Sequence, residues 1–118
     1  MTEGTPGTHG YTAGGELRVE LDRLVRKVAA LGPARLGAVP ADGSETAATV
    51  VHRFVQRLAD AAASVEPGPS RQVPRLADHA SADQLAVLSR ELLAVADRLP
   101  EPAVAELTRA AAELRRRL

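Results

Sequence analysis

The chain has 118 residues, with fifteen basic side chains balanced by fifteen acidic ones, so it is the size of one domain and carries no net charge. A neutral balance gives no overall attraction to nucleic acid or to an anionic membrane. Cysteine is absent, and Tyr11 and Phe54 are the only aromatic residues. This composition excludes disulfides, zinc–thiolate sites, iron–sulfur clusters and stacked aromatic platforms. No apolar run approaches the roughly 18 residues of a membrane span, and we expect a cytoplasmic protein.

Residues 1–15 contain five glycines among several threonines and show no apolar period. Such a segment cannot offset the entropy lost on ordering. We predict a disordered tail over residues 1–15, followed by one folded domain over residues 16–118.

The first predicted helix spans residues 16–31. Its apolar residues recur in steps of three and four, which places them on one stripe: Leu17, Leu21, Leu24, Val28 and Leu31. Gly32 offers a left-handed cap and Pro33 opposes continuation. Residues 32–42 are rich in Gly and Pro and are predicted to form a loop.

The second predicted helix spans residues 44–65 and has a wider apolar stripe, which is typical of a helix packed against two neighbours. Asp42 is the predicted N-cap, with Glu45 as its reciprocal partner. Pro67 and Gly68 end the helix, and a second linker follows, in which Val73 and Leu76 are candidates to pack over the bundle.

The third and fourth predicted helices span residues 81–99 and 102–118. Ser81 is the predicted N-cap of the third helix, with Gln84 at the reciprocal position. Pro102 suits the first turn of the fourth helix, where its missing N–H is not needed. Because so few residues connect the two helices, we expect them to pack as a hairpin.

Four amphipathic stripes and no alternating strand pattern predict an all-α fold, an antiparallel four-helix bundle behind a disordered N-terminal tail. The connections after the first and second helices are long enough for either an up-down or a crossover topology.

His52 lies within the second helix, at the border of its wide stripe. A small bundle with one border histidine resembles, in outline, the histidine phosphotransfer domains. That family places Lys and Gly three and four residues after the histidine, whereas this chain has Val55 and Gln56 there. The resemblance therefore transfers no role to His52, and we favour a structural role at the boundary of the core.

The other two histidines offer no catalytic set. His79 follows Asp78, which could orient its ring, but no Gly-x-Ser-x-Gly elbow supplies a nucleophile, and His9 falls in the predicted tail. No Glu-x-x-His spacing indicates a di-iron site. We predict no metal and no cofactor.

The opening of the first helix, residues 16–24 (ELRVELDRL), resembles that of the all-helical chorismate mutases. That family holds a small dianion with Arg and Lys inside a helical bundle, and the similarity covers nine residues. Arg53, Arg57 and Arg90 would be the later arginines available for such a pocket. No matching polar pattern surrounds them, and an exposed face with mixed charges is the simpler interpretation.

Arg115, Arg116 and Arg117 form the one dense basic cluster. Cations at a helix C-terminus interact favourably with the helix dipole, by about 0.3–1 kcal/mol each when exposed. A phosphate or nucleic-acid patch is the alternative, although no helix-turn-helix accompanies the cluster.

These observations favour a non-enzymatic module for protein interaction or regulation, with self-association through the leucine stripes of the first and fourth helices. Two alternatives stay open. One is a small enzyme or ligand sensor that uses Arg53, Arg57 or Arg90 for an anionic small molecule. The other is a weak nucleic-acid binder that uses Arg109 and the cluster at residues 115–117.

Overall fold

A computed structural model describes residues 13–66, 68 and 72–118, and this part of the chain is helical without any strand. Its elements, in chain order, are α1 (Ala13–Gly37), α2 (Ala47–Ala63), a 3₁₀ turn (Asp78–Ala80), α3 (Ser81–Val95), a second 3₁₀ turn (Ala96–Arg98) and α4 (Glu101–Arg117). The prediction of an all-α four-helix bundle is confirmed. Residues 1–12 of the predicted tail lie outside the described residues.

Helix α1 carries the leucine stripe that the sequence predicted. Leu17, Leu21, Leu24 and Val28 are fully buried, and Leu31 is half-buried at the edge of the core. The helix begins at Ala13, three residues before the predicted start, so residues 13–15 are helical rather than part of the tail.

The predicted break at Gly32 is present, but the predicted loop after it is wrong in its first part. Gly32 has φ 79° and ψ 163°, which interrupts the helix in a region that favours glycine. Residues 33–37 then form a further helical turn instead of a loop. The buried side chain of Leu36 attaches this turn to the core, which explains why it is ordered as helix.

Helix α2 begins at Ala47, three residues later than predicted, and ends at Ala63. Its N-cap is Thr46, whose hydroxyl accepts a hydrogen bond from the Thr49 amide at 3.2 Å. The prediction of Asp42 as the cap is therefore wrong. The Asp42 carboxylate instead accepts from the Ser44 amide at 2.9 Å, within the preceding turn.

Helix α3 begins at Ser81 itself, so the prediction that Ser81 caps it is also wrong. The 3₁₀ turn directly before it replaces a side-chain cap. Gln84, the predicted reciprocal partner, donates to the carbonyl of Pro74 at 3.0 Å. It thus holds the linker rather than the helix terminus.

The apolar stripes of α3 and α4 meet in the core as predicted. The apolar residues that recur at three-four spacing along these two segments are buried: Leu85, Leu88, Leu92, Val95, Leu99, Val104, Leu107, Ala111 and Leu114. Pro102 occupies the first turn of α4. Local periodicity thus identified the core-facing side of both helices.

Helices α1 and α4 are in extensive contact and run in the same direction. Gly14 and Val104, near the start of each helix, line one surface depression. Further along, the Arg115 guanidinium lies 3.3 Å from a carboxylate oxygen of Glu20. Helix α3 runs the opposite way against α1, because its last turn lies beside Gly14.

Helix α2 runs opposite to α4. The Arg57 guanidinium lies 4.0 Å from the carboxylate of Glu106, near the start of α4. Val50, which precedes Arg57 in α2, shares a depression with Arg117 near the end of α4. Helices α2 and α3 are therefore parallel neighbours, and the linker between them is a crossover that returns along α2. The topology that the sequence left open is of the crossover type.

The predicted hairpin of α3 and α4 is wrong. Although only residues 96–100 separate them, α3 packs on α1 and α2, α4 packs mainly on α1, and contact between α3 and α4 is marginal. A short connection brings two helix ends together but does not make their faces pack.

None of the helices in the described part of the chain is long and apolar enough to cross a membrane.

Candidate functional site

His52 makes a structural contact with the crossover linker. Its Nε2 lies 3.1 Å from the carbonyl oxygen of Val73, and the next turn of α2 provides Gln56, whose side-chain oxygen accepts from the Val73 amide at 2.8 Å. The two side chains bind both polar groups of one buried linker residue. This bonding supports a structural role for His52 at the boundary of the core.

The three arginines proposed for an inward pocket all lie on the surface. Arg53 forms a two-pronged ion pair with Glu45, and Arg57 faces the carboxylate of Glu106 at 4.0 Å. Arg90 is an exposed residue of α3 on a different side of the bundle. The structure therefore does not bring Arg53, Arg57 and Arg90 together in an internal cavity.

The pair formed by Arg53 and Glu45 has a clear electrostatic signature. The hydrogen bond from Arg53, together with its positive charge, lowers the pKa of the Glu45 carboxyl below its ordinary value. The same hydrogen bond raises the pKa of Arg53. Both side chains are exposed, which makes the pair a solvated surface feature.

The basic cluster at residues 115–117 is divided between two sides of α4. Arg115 and Arg116 face α1, whereas Arg117 lies beside α2 in a shallow depression with Arg53 and Arg57. Successive residues of a helix point about 100° apart, so neighbours in sequence are separated in space. The three arginines do not act as one patch.

Asp78 and His79 belong to the 3₁₀ turn before α3, where Asp78 is half-buried and His79 is exposed. No hydrogen bond within the described residues links either side chain to a nucleophile. Asp78 lies 3.7 Å from the guanidinium of Arg75. No group of three metal-ligating side chains occurs among the described residues. His9 lies outside them.

The first surface with a distinctive composition is a groove between α1 and α3, which we call the α1–α3 groove. Its apolar walls come from Val19, Val25 and Leu93. Val19 is 47% exposed, somewhat more than Val87 of α3 at 41%. Ser89 lies in the floor, and its buried hydroxyl forms no hydrogen bond within the described chain.

The rim of the α1–α3 groove is basic. Arg18 of α1 and Arg90 of α3 are exposed, and neither forms an ion pair within the described residues. Asp22 is the one acidic residue on the lining, and its carboxylate lies 3.0 Å from Arg26. The groove therefore combines apolar walls with two exposed arginines that form no ion pair within the described residues, and Arg18 also lines a second depression with Asp97 and Glu101.

The second surface, which we call the cationic cleft, lies between α1 and α4. Its lining consists of five basic residues: Arg23, Arg26, Lys27, Arg115 and Arg116. Two carboxylates lie beside it. Glu20 is within 3.1 Å of Arg23 and 3.3 Å of Arg115, and Asp22 pairs with Arg26.

The sequence prediction missed Arg23, Arg26 and Lys27 as site residues. In the sequence they have the pattern of an ordinary solvated face of an amphipathic helix, and Arg26 pairs with Asp22 four residues before it. Only the parallel packing of α1 against α4 places them beside Arg115 and Arg116. No feature of the sequence indicated which helix packs beside α1.

A search of known protein families, curated proteins and solved structures finds no match to this chain.

Proposed function

We propose that the chain is a non-enzymatic interaction module that binds an amphipathic helix of a partner protein in the α1–α3 groove. The observation that carries this proposal is the apolar wall formed by the exposed Val19 and the half-buried Val25 and Leu93, between two basic residues. Apolar walls hold the apolar face of a helix, as in the helix-in-groove mode of recognition. The proposed setting is the cytoplasm, on composition alone.

The length and charge of the groove define its partner. It follows α1 from Arg18 to Val25, which corresponds to roughly two helical turns, or about 11 Å. Arg18 and Arg90 lack local carboxylate partners, so the bound helix is expected to carry Glu or Asp beside its apolar face. Such charges at the rim act mainly on specificity and association rate.

Self-association through the leucine stripes of α1 and α4 is the alternative that the sequence suggested. The leucine stripes that suggested pairing between chains are already buried within one chain: Leu21 and Leu24 of α1 are fully buried, and Leu114 of α4 nearly so. Those stripes are therefore not available to a second copy. The basic rim also disfavours a second α1–α3 groove as the occupant, because like charges would meet.

Two sets of helical peptides test the proposal by fluorescence anisotropy. Both sets share one apolar face, with Glu flanking it in the first and Lys in the second. The wild-type protein should prefer the Glu set. Replacing both rim arginines, Arg18→Glu with Arg90→Glu, should reverse the preference, because the charge of the rim is inverted.

A matched pair of variants tests the apolar wall. Val19→Asp should weaken binding of the Glu peptides about tenfold or more, since it places a charge against the apolar face. Val39→Asp is the control, because Val39 is 75% exposed and lies outside the groove. Equal affinities of these two variants, or no preference between the peptide sets, would contradict the proposal.

Light scattering at micromolar concentration separates the two occupants. A monomer is expected. A dimer that Val19→Asp dissociates would place a second copy in the groove and overturn the assignment to an acidic helix.

A further inference from the structure

The cationic cleft collects positive charge from two helices that are far apart in sequence. Arg23, Arg26 and Lys27 come from α1, and Arg115 and Arg116 come from the end of α4. Glu20 and Asp22 are the carboxylates that pair with them. Five cations and two carboxylates leave three positive charges in one shallow region of a chain whose net charge is zero.

Two of the five cations have no local counterion. Neither Lys27 nor Arg116 forms an ion pair or hydrogen bond within the described residues, and both are exposed. By contrast, Arg53 and Arg109, on other faces, are each bound to a carboxylate, of Glu45 and Glu106 respectively. Arg18 and Arg90 also form no ion pair, so the feature that distinguishes the cleft is the clustering of five cations rather than the unpaired state of two of them.

The helix dipole accounts for only part of this arrangement. Arg115 and Arg116 lie in the last turn of α4, where cations are favoured. Arg23, Arg26 and Lys27 lie in the middle of α1, where the dipole offers nothing. Arg115 is also unusual, because its Nε is buried without a hydrogen-bond partner in the described chain while its other end reaches Glu20.

We propose that the cationic cleft binds a diphosphate group. Four of the five cations are arginines, whose planar donors match phosphate oxygens in pairs. A diphosphate concentrates two to three negative charges within a few ångströms, as the three unneutralised charges of the cleft require. An acidic peptide carries one charge per side chain and spreads them along its length.

The surroundings of the cleft favour the phosphate itself over a nucleic-acid strand. Phe54 is the one aromatic residue among the described residues, and it is buried beside the α2–α4 depression. Within the described part of the chain, no aromatic ring therefore lies where a base could stack. Recognition is expected to involve the charged oxygens alone.

Isothermal titration calorimetry with inorganic pyrophosphate tests the assignment. We expect binding that weakens as salt rises, and a loss of about tenfold in affinity for the double variant Lys27→Gln with Arg116→Gln. The double variant Arg53→Gln with Arg109→Gln is the matched control, because it also removes two exposed cations but from other surfaces, and it should bind as the wild type does.

Two further measurements identify the source of the phosphate and the location of the site. Affinity for ADP equal to that for pyrophosphate indicates that the diphosphate is sufficient, and a tighter ADP complex indicates a nucleotide as its carrier. In the wild-type protein, amide NMR shifts on pyrophosphate addition should concentrate at residues 23–27 and 115–116. This measurement does not depend on any variant folding.

Three outcomes would overturn the proposal: no pyrophosphate binding at millimolar concentration, unchanged affinity of the double variant, or shifts centred elsewhere. Binding of a DNA duplex without binding of pyrophosphate would likewise replace the diphosphate with nucleic acid. The Val19→Asp variant should bind pyrophosphate normally, so failure of this site and failure of the α1–α3 groove are distinguishable.

Discussion

The two parallel helix pairs of this bundle are held together in different ways. Helices α1 and α4 pack directly through apolar side chains, and one ion pair between their described residues, from Arg115 to Glu20, lies at the edge. Helices α2 and α3 also pack, but a returning linker is bound to α2 by polar side chains. One pair thus depends on apolar burial, and the other depends in addition on specific hydrogen bonds.

The linker bonds occupy several of the polar side chains near α2. His52 and Gln56 bind the backbone of Val73, Thr49 accepts from Arg75 at 3.2 Å, and Gln84 of α3 binds Pro74. Polar groups that are committed to the fold cannot change partners without a loss of stability. On α1, by contrast, Arg18 and Lys27 have no such commitment within the described chain.

This difference between the polar residues near α2 and those on α1 indicates which helix we expect to bind partners. Helix α1 contributes one side to the α1–α3 groove and the other side to the cationic cleft, so both proposed sites share this helix, on which Arg18 and Lys27 form no ion pair within the described residues. Surface residues without a structural task are the ones that selection can use for binding.

The largest effect is expected from the apolar side of the comparison. Leu24→Ala removes a fully buried side chain of α1 and should lower the free energy of unfolding by about 2–5 kcal/mol, measured by urea denaturation. Leu76→Ala is the control, because Leu76 is 42% exposed, and it should change stability by less than about 0.5 kcal/mol. Similar decreases in the free energy of unfolding for both variants would mean that the leucine stripe of α1 does not stabilise the core.

A smaller effect is expected from the linker. Gln56→Ala leaves the Val73 amide without its acceptor and should lower the free energy of unfolding by about 1–2 kcal/mol. Hydrogen exchange at the Val73 amide should accelerate at the same time. The exposed residue Gln72 provides the control variant, Gln72→Ala. Unchanged protection of Val73 in the Gln56 variant would show that the linker is held by the Val73 side chain alone.

The smallest effect concerns the exposed pair at the start of α2. Because the pKa of Glu45 is lower in the folded chain, its contribution to stability is present above the unfolded pKa and is lost as pH falls through the folded value. Stability should therefore show no change from this group between pH 6 and 8, and a slight decrease below about pH 4. In Arg53→Gln, an NMR titration should find the pKa of Glu45 raised toward its ordinary value. An unchanged pKa would remove Arg53 as the cause.

Local patterns predicted the buried faces of the helices well. The three-four spacing of Leu17, Leu21 and Leu24 depends only on helix geometry, so it needs no knowledge of the neighbours. The break at Gly32 was predictable for the same reason, because glycine followed by proline acts on the backbone locally. The caps at Asp42 and Ser81 were not, since several polar residues near each helix start compete for the same amide.

The pairing of the helices could not be read from the sequence. An apolar stripe indicates that a face of a helix is buried, but it does not indicate against which helix. Helices α3 and α4 are an example, since their short connection suggested a hairpin that does not form. The choice of neighbours is decided by the whole core. The cationic cleft depends on that choice, so Arg23 and Lys27 could not be joined to Arg116 before the fold was known.

The parallel contact of α1 with α4 also sets the order in which the chain can fold. The leucine face of α1 is completed by a helix whose residues follow it by some ninety positions, as the pair of Glu20 and Arg115 shows. During synthesis, α1 therefore waits with an uncovered apolar face until nearly all of the described helices have emerged. Contacts this distant close a long loop before they return any stability, and we expect them to form late and cooperatively.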